Sequence, residues 1–333
     1  MIYQNLIINK NIWTKLETMC HANKIPHALL FHGPKGVGKE AHAIELASLL
    51  NYKTKADLEK IKIFQHPNIN LITPLIKDKA INKNSAAIDA LSTKSLEKYI
   101  DLKKQKMLNP YKKIAFQKTS TILINSIRDI KKDIHHNDTD RYTIYLIFEA
   151  EKLCYPRNEA GNALLKVLEE PPPKTIFVLV TSYKDKILDT ILSRCCDFRF
   201  NKLNTEKIHH YLKTNNYNSD QIELLIKLCE GNLNLIIEMI EQELDIKVMI
   251  KKAKLFISSL INEDLHQEYY HFMEHLFKKN KIEFEIYMKI IMIILNDLNK
   301  INNDYNNCII LDKKIEVKKR NYDYTIEIVE KYY

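Results

Sequence analysis

Residues 31–39 read Phe-His-Gly-Pro-Lys-Gly-Val-Gly-Lys. The 333-residue chain contains only five glycines, and three of them, Gly33, Gly36 and Gly38, fall in this short stretch. A chain so poor in glycine gathers them where the backbone must take positive φ or pass very close to something else. The flanks fit a single interpretation. Ala28 to Phe31 is an apolar run that reads as a buried strand, and after the loop Ala43, Ile44, Ala47 and Leu50 share one side of a helix. Strand, glycine loop and helix in that order make a phosphate-binding loop. Its backbone N–H groups and helix N-terminus cradle phosphates, and its lysine, here Lys39, reaches the outer ones. The eighth position departs from the pattern. Where a Ser or Thr hydroxyl should hold Mg²⁺ the chain has Glu40, a carboxylate expected to repel phosphate. The loop therefore predicts a nucleotide site with damaged chemistry, at which Lys39 leaves open the passive retention of ATP or ADP.

On the N-terminal side of the loop, Ile12, Trp13, Leu16, Met19 and Cys20 have helical spacing, and a helix is expected from Ile12 to Asn23. Downstream, a short helix over Lys55–Ile63 precedes His66-Pro67 and a strand at Ile69–Thr73. Residues 75–118 read as an insertion, with a polar loop at Lys77–Asn84 and a charged helix at Lys94–Met107 stopped by Asn109-Pro110. No chemistry is assigned to it. Asn125 is expected to cap a helix carrying Ile127, Ile130 and Ile134 on one face. Tyr142 to Phe148 is an unbroken apolar run, as a central parallel strand requires. A helix over Arg157–Glu169 ends at Pro171-Pro172-Pro173. It is followed by a strand at Thr175–Val180 and a short helix at Ile187–Leu192. Strands alternating with helices predict a parallel α/β sheet. Beyond Leu203 only helical patterns remain: Thr205–Leu212, Asp220–Cys229 and Asn232–Glu241, with Gly231 as a C-terminal cap, then long apolar faces that include Phe272, Leu276, Phe284, Tyr287, Ile290 and Ile294.

Composition narrows the functional classes. At 333 residues the chain is long enough for two or three domains, and its 45% apolar residues supply ample core. No apolar run approaches the roughly 18 residues of a membrane span, and the first residues lack the layout of a signal peptide. The six cysteines, Cys20, Cys154, Cys195, Cys196, Cys229 and Cys308, contain no Cys-x-x-Cys, which disfavours a zinc site or a disulfide framework and makes the cytosol the expected compartment. The net charge of +9 accompanies a sequence saturated with Lys, Asn and Ile, so charge by itself does not establish contact with DNA.

A working nucleotide site needs a second acid at the end of the 142–148 strand, where a carboxylate holds Mg²⁺ through water. Phe148 stands at that place, and Glu149 stands where a residue would polarise the attacking water. Both metal positions, Glu40 and Phe148, are thus wrong for hydrolysis.

Three stretches together carry a family resemblance: Ile25-Pro26-His27-Ala28-Leu29-Leu30-Phe31 with the glycine loop; Asn162-Ala163-Leu164-Leu165-Lys166-Val167-Leu168-Glu169-Glu170-Pro171-Pro172; and Thr190-Ile191-Leu192-Ser193-Arg194-Cys195. The chain resembles the bacterial clamp-loader AAA+ proteins of DNA polymerase III, and among them the delta-prime type rather than the ATP-hydrolysing gamma/tau type. The resemblance covers residues 1 to about 203 well and the remainder mainly in being helical. It implies an AAA+ P-loop sheet domain at 1–203, a small helical lid at 204–245 and an all-α collar at 246–333. It further implies a non-hydrolysing subunit whose Arg194, supported by Ser193 and Cys195, reaches nucleotide bound to a neighbouring subunit. The expected partners are the delta and gamma/tau subunits, the sliding clamp and, through the assembly, primer-template DNA, with no membrane and no required cofactor. A gamma/tau-type subunit is the alternative. The sequence departs from the family in three ways. The four-cysteine zinc module expected after the P-loop helix is missing between Asn51 and His66, the 75–118 insertion is long, and the lid near Asn232 and Asn234 offers no arginine to a nucleotide.

Overall fold

The computed structural model describes residues 1–116, 118–133, 141–217, 221–261, 271, 274–275, 277–278, 281–302 and 308–311. They fall into two compact units, the first comprising residues 1–214 with 231–234 and the second comprising the rest.

The first unit is built on five strands: β1 (Ala28–His32), β2 (Ile69–Ile72), β3 (Thr143–Phe148), β4 (Thr175–Thr181) and β5 (Cys196–Arg199). They lie in the order β2-β3-β4-β1-β5, and every pairing is parallel. All six residues of β3 and all seven of β4 are buried, as strands covered by helices on both faces must be. On one face, Ala28, Leu30, Tyr145, Ile147, Phe177 and Leu179 pack with α5 (Ile124–Asp133) and α6 (Glu159–Glu169) through Ile127, Ile130, Leu164 and Leu168. On the other lies α2 (Lys39–Asn51), which contacts β1, β3 and β4. Every residue of α2 from Ala41 to Ser48 is buried, so the one-sided pattern read from the sequence understates how deeply this helix sits.

The first helix, α1, runs Lys10–His21 and ends before the Asn23 boundary expected for it. Helix α3 (Lys55–Lys62) begins at a capping box formed by Thr54 and Asp57. The Asp57 carboxylate also meets Arg141 at 3.0 Å, and Arg141 donates to Asn51 O at the end of α2. This cluster joins α2, α3 and the start of β3 in the region where the zinc module is absent. Helix α4 (Thr93–Leu108) closes a small core of the insertion around Leu75, Leu91, Tyr99 and Leu102. Asn125 is not the cap of α5. It lies within the first turn, buried, and its amide donates to Asn82 O and Ser85 O, pinning the insertion loop. Ile134 lies outside the described residues. Strand β5, with alternating burial at the sheet edge, had no counterpart in the sequence reading. Helices α7 (Asp189–Leu192) and α8 (Thr205–Thr214) complete the unit.

The later helices are α9 (Ile222–Leu228), α10 (Leu233–Glu241), α11 (Ile246–Ile261) and α12 (Lys281–Asn302), with α11 packed on α12. Residues 233–234, at the start of α10, belong to the first unit. Gly231 is left-handed, with φ at +78°, but α9 is capped at Cys229 and the first left-handed residue after it is Glu230, so Gly231 lies one residue past the place expected of it. On α12, the fully buried Asp297 accepts from the N–H groups of Ile309, Ile310 and Leu311. Phe272, Leu276 and the last twenty-two residues, 312–333, lie outside the described set. No described helix is long and apolar enough to cross a membrane.

Candidate functional site: the P-loop cleft and Arg194

The carboxyl ends of three parallel strands converge on one cleft: the glycine loop after β1, Glu149 after β3 and Ser182 after β4. This is where open α/β sheets place their ligands. Gly33 has φ +135°, and a Cβ there would stand 2.2 Å from Phe200 O, so only glycine lets the loop leave β1 beside β5. Gly38 caps α2 in the left-handed conformation.

The side chains in the cleft are already engaged with one another. Lys39, buried, donates to Gly33 O at 2.8 Å, to Pro34 O and to Ser182 Oγ at 3.1 Å. Burial, with the Lys113 charge adding to it, lowers its pKa to about 7. Glu40 points to an ammonium. Lys106 Nζ, from the last turn of α4, lies 2.7 Å from Glu40 Oε2 and 3.0 Å from Pro110 O, with its side chain only 2% exposed. The same ammonium stands 5.8 Å from the centre of the Phe148 ring, a cation–π arrangement. Burial lowers the Lys106 pKa and Glu40 opposes that shift. Glu149, in the left-handed region, binds Lys152 at 2.6 Å and Lys113 at 3.4 Å. Burial raises the Glu149 pKa, but the two lysines outweigh it and hold the carboxyl below its usual range. The Tyr111 ring covers Gly38, with Cε1 only 3.3 Å from where a Cβ would be.

The residues at the two metal positions do not fit Mg²⁺ in this arrangement. Residue 148 offers a ring instead of a metal ligand, Glu40 and Glu149 are committed to lysines, and Lys39 is turned onto its own loop. The cleft retains about 30 Å³, against the roughly 300–1,000 Å³ of a small-molecule pocket. The insertion, to which the sequence reading gave no chemistry, supplies Lys106, Tyr111 and Lys113 to this cleft. The only sequence signal was Glu40 itself, an acid in a phosphate loop that needs a counter-cation.

Arg194 does not line its own cleft. It lies just beyond α7, 36% exposed, donating to Thr190 O at 2.8 Å and to Glu169 Oε1 at 2.9 Å. That pair brings two of the sequence motifs together, because Glu169 belongs to the Leu-Leu-Lys-Val-Leu-Glu-Glu-Pro-Pro stretch. The Ser193 hydroxyl donates to Thr190 O. Cys195 packs half-buried against the main core, and burial, with Asp197 and Cys196 nearby, pushes its thiol up to about 12. Asn232, near the start of α10, abuts Gly36 of the P-loop, and Asn234 is buried. Among the described residues no three His, Cys, Asp or Glu side chains converge as a metal site would require. His135 and His136, the remaining histidine candidates for zinc, lie outside them.

Over residues 8–204 the sequence matches the protein family described as DNA polymerase III, delta subunit. The chain belongs to that family. Its relatives include the DNA polymerase III subunit gamma of Buchnera aphidicola subsp. Schizaphis graminum, 26% identical over 92% of this chain and 74% of that protein. The subunit tau of Escherichia coli K12 is 27% identical over 72% of this chain, but only 32% of tau's own length is covered. A gamma subunit-related protein of Thermotoga maritima has a solved structure that aligns over 94% of this chain and 96% of its own, with a TM-score of 0.43 and 15% identity. At the level of the family, the expectation of a DNA polymerase III clamp-loader subunit holds.

Proposed function

We propose that this family member is a non-hydrolysing, delta-prime-type subunit of the DNA polymerase III clamp loader, which supplies Arg194 in trans. The observation that carries the reading is the Glu40–Lys106 pair set over Phe148. It leaves neither of the two positions that would hold Mg²⁺ free to do so, and a phosphoryl-transfer site without its metal loses the charge neutralisation on which the reaction depends. An arginine finger needs no working site of its own. Its guanidinium stabilises charge spread over the equatorial oxygens of phosphate bound to a neighbour. The exposed pair with Glu169 is worth about 0–1 kcal/mol, so Arg194 can leave it at little cost. On this reading residues 204–245 act as the lid and 246–333 as the collar. The partners are the delta and gamma/tau subunits, the sliding clamp and primer-template DNA within a cytoplasmic assembly, and neither zinc nor another cofactor is required.

The names of the relatives favour a second reading, an ATP-hydrolysing gamma/tau-type subunit. That reading needs a hydroxyl at residue 40 and an acid at residue 148, and the chain has neither. The two are separated by ATP turnover of the purified chain and by size and composition after mixing with delta, gamma/tau and clamp. A mixed assembly containing a chain without turnover of its own supports the proposal. Turnover above a Lys39→Ala control supports the second reading.

A further inference from the structure

We infer that residues 106–113 are a built-in occupant of the nucleotide cleft, so that the chain fixes its P-loop with its own side chains and takes up neither ATP nor ADP. The inference rests on the non-hydrolysing reading and goes further, because loss of the Mg²⁺ ligands alone would still permit a nucleotide to sit on Lys39.

Each contact that a bound metal–nucleotide would supply has an internal substitute. The Lys106 ammonium provides positive charge beside Glu40, and Lys113 provides it beside Glu149. Burial disfavours the Lys113 ammonium, but Glu149, Glu40 and Glu151 more than offset it and raise its pKa, so this group stays charged. An aromatic ring, Tyr111, lies over Gly38 and meets Tyr211 of α8 edge to face at 5.1 Å. The groups that Lys39 would offer to phosphate are spent on two loop carbonyls and Ser182.

The occupant is also tied down from outside. Tyr111 Oη accepts from Ile7 N–H at 2.9 Å, and Tyr3 Oη donates to Lys106 O at 3.1 Å. The segment carrying Ile7 and Tyr3 is itself held to α2, because Ile2 and Tyr3 N–H donate to Glu45 and Asn9 N–H to His42 Nε2. Burial lowers the His42 pKa to about 4, so near neutral pH the ring is uncharged and its Nε2 is free to accept. A tethered occupant competes at an effective concentration in the millimolar range without being supplied. ATP entering the cleft would have to displace Tyr111 and Lys106 together and then face an unpaired Glu40.

The test measures binding of ATP and ADP, with Mg²⁺, by calorimetry. It compares the full chain with a variant carrying Lys106→Ala, Tyr111→Ala and Glu40→Thr, which empties the cleft and restores the hydroxyl. Hydrogen exchange at the 36–39 amides is followed in both. The wild-type chain is expected to show no binding tighter than about 1 mM, with slow exchange that ATP does not alter. The opened variant is expected to exchange faster and to bind ATP at least about tenfold more tightly. Wild-type binding without turnover overturns the occupant and leaves the non-hydrolysing reading standing, whereas wild-type turnover overturns both. A folded variant that neither binds nor exchanges faster overturns the occupant alone. If the variant does not fold, acylation of wild-type lysines decides. Lys106 should react far more slowly than exposed Lys98, at a rate unchanged by ATP, and equal reactivity or an ATP effect would overturn the inference.

Discussion

Replacing Lys106 by Met keeps most of the side-chain volume and removes the ammonium. Glu40 Oε2 then loses a partner at 2.7 Å and Pro110 O loses a donor at 3.0 Å, in a place where the two side chains are 2% and 12% exposed. Stripping one partner from a buried pair costs about 3–5 kcal/mol, because the other charge is left uncompensated. Removing both charges, with Lys106→Met and Glu40→Gln together, should cost far less than that and come within about 1 kcal/mol of wild type. Glu40→Gln alone strips the other partner at a similar cost, so the two single losses together should exceed the loss of the double variant by about 5 kcal/mol or more. At about 2–4 °C per kcal/mol for a unit of this size, the single variant should melt roughly 6–20 °C lower. The chain has one tryptophan, Trp13, buried on α1 within the first unit, so its fluorescence in a urea titration reports that unit's unfolding. A Lys106→Met cost below about 1 kcal/mol, or a double variant whose loss equals the sum of the single losses, would refute the buried pair.

The Asp57 carboxyl is held well below its usual 3.8, first by the hydrogen bond from Arg141 and then by those from Thr54 and Lys53. The unfolded chain takes up this proton first. The stabilisation is therefore present above about pH 4 and lost as pH falls through the depressed native value. Asp57→Asn should flatten this acid limb in stability measured against pH, and an unchanged acid limb would count against the cluster. Gly33→Ala places a Cβ 2.2 Å from Phe200 O at φ +135° and should cost about 1–3 kcal/mol or more in the same urea assay. A neutral result would mean that β5 does not lie against the loop. Elemental analysis should find no stoichiometric zinc, and a chelator should leave the melting temperature unchanged. One zinc per chain would contradict this and would direct attention to His135 and His136.

The sheet was legible where burial is two-sided. The 144–148 and 176–180 runs are apolar throughout because β3 and β4 sit in the middle of the sheet, and the glycine loop stood out because glycine is scarce elsewhere. Strand β5 escaped notice because an edge strand buries alternate residues, so Cys-Asp-Phe-Arg presents no apolar run. Asn125 looked like a cap because its side chain suits that place, but its partners are the carbonyls of Asn82 and Ser85, about forty residues away in sequence. The cleft's filling was hidden for the same reason. Lys106 is 66 residues from Glu40 and is one of many lysines on a charged helix, and only packing selects it. The departures at Glu40 and Phe148 were readable. The cation and ring that accompany them were not.

The central claim, a subunit that contributes an arginine to its neighbour's site and runs no chemistry at its own, is tested most directly by single-turnover ATP hydrolysis in the reconstituted assembly. The comparison is between wild type, Lys39→Met and Arg194→Ala. Lys39→Met should leave turnover unchanged, because the lysine is bonded to Gly33 O and Ser182 Oγ in a cleft with room for little more than water. Arg194→Ala should leave the assembly intact and reduce turnover at the adjoining site by about a thousandfold or more, as loss of an arginine finger does. The opposite pattern, turnover lost with Lys39→Met and kept with Arg194→Ala, would contradict the account and identify an ATP-hydrolysing subunit.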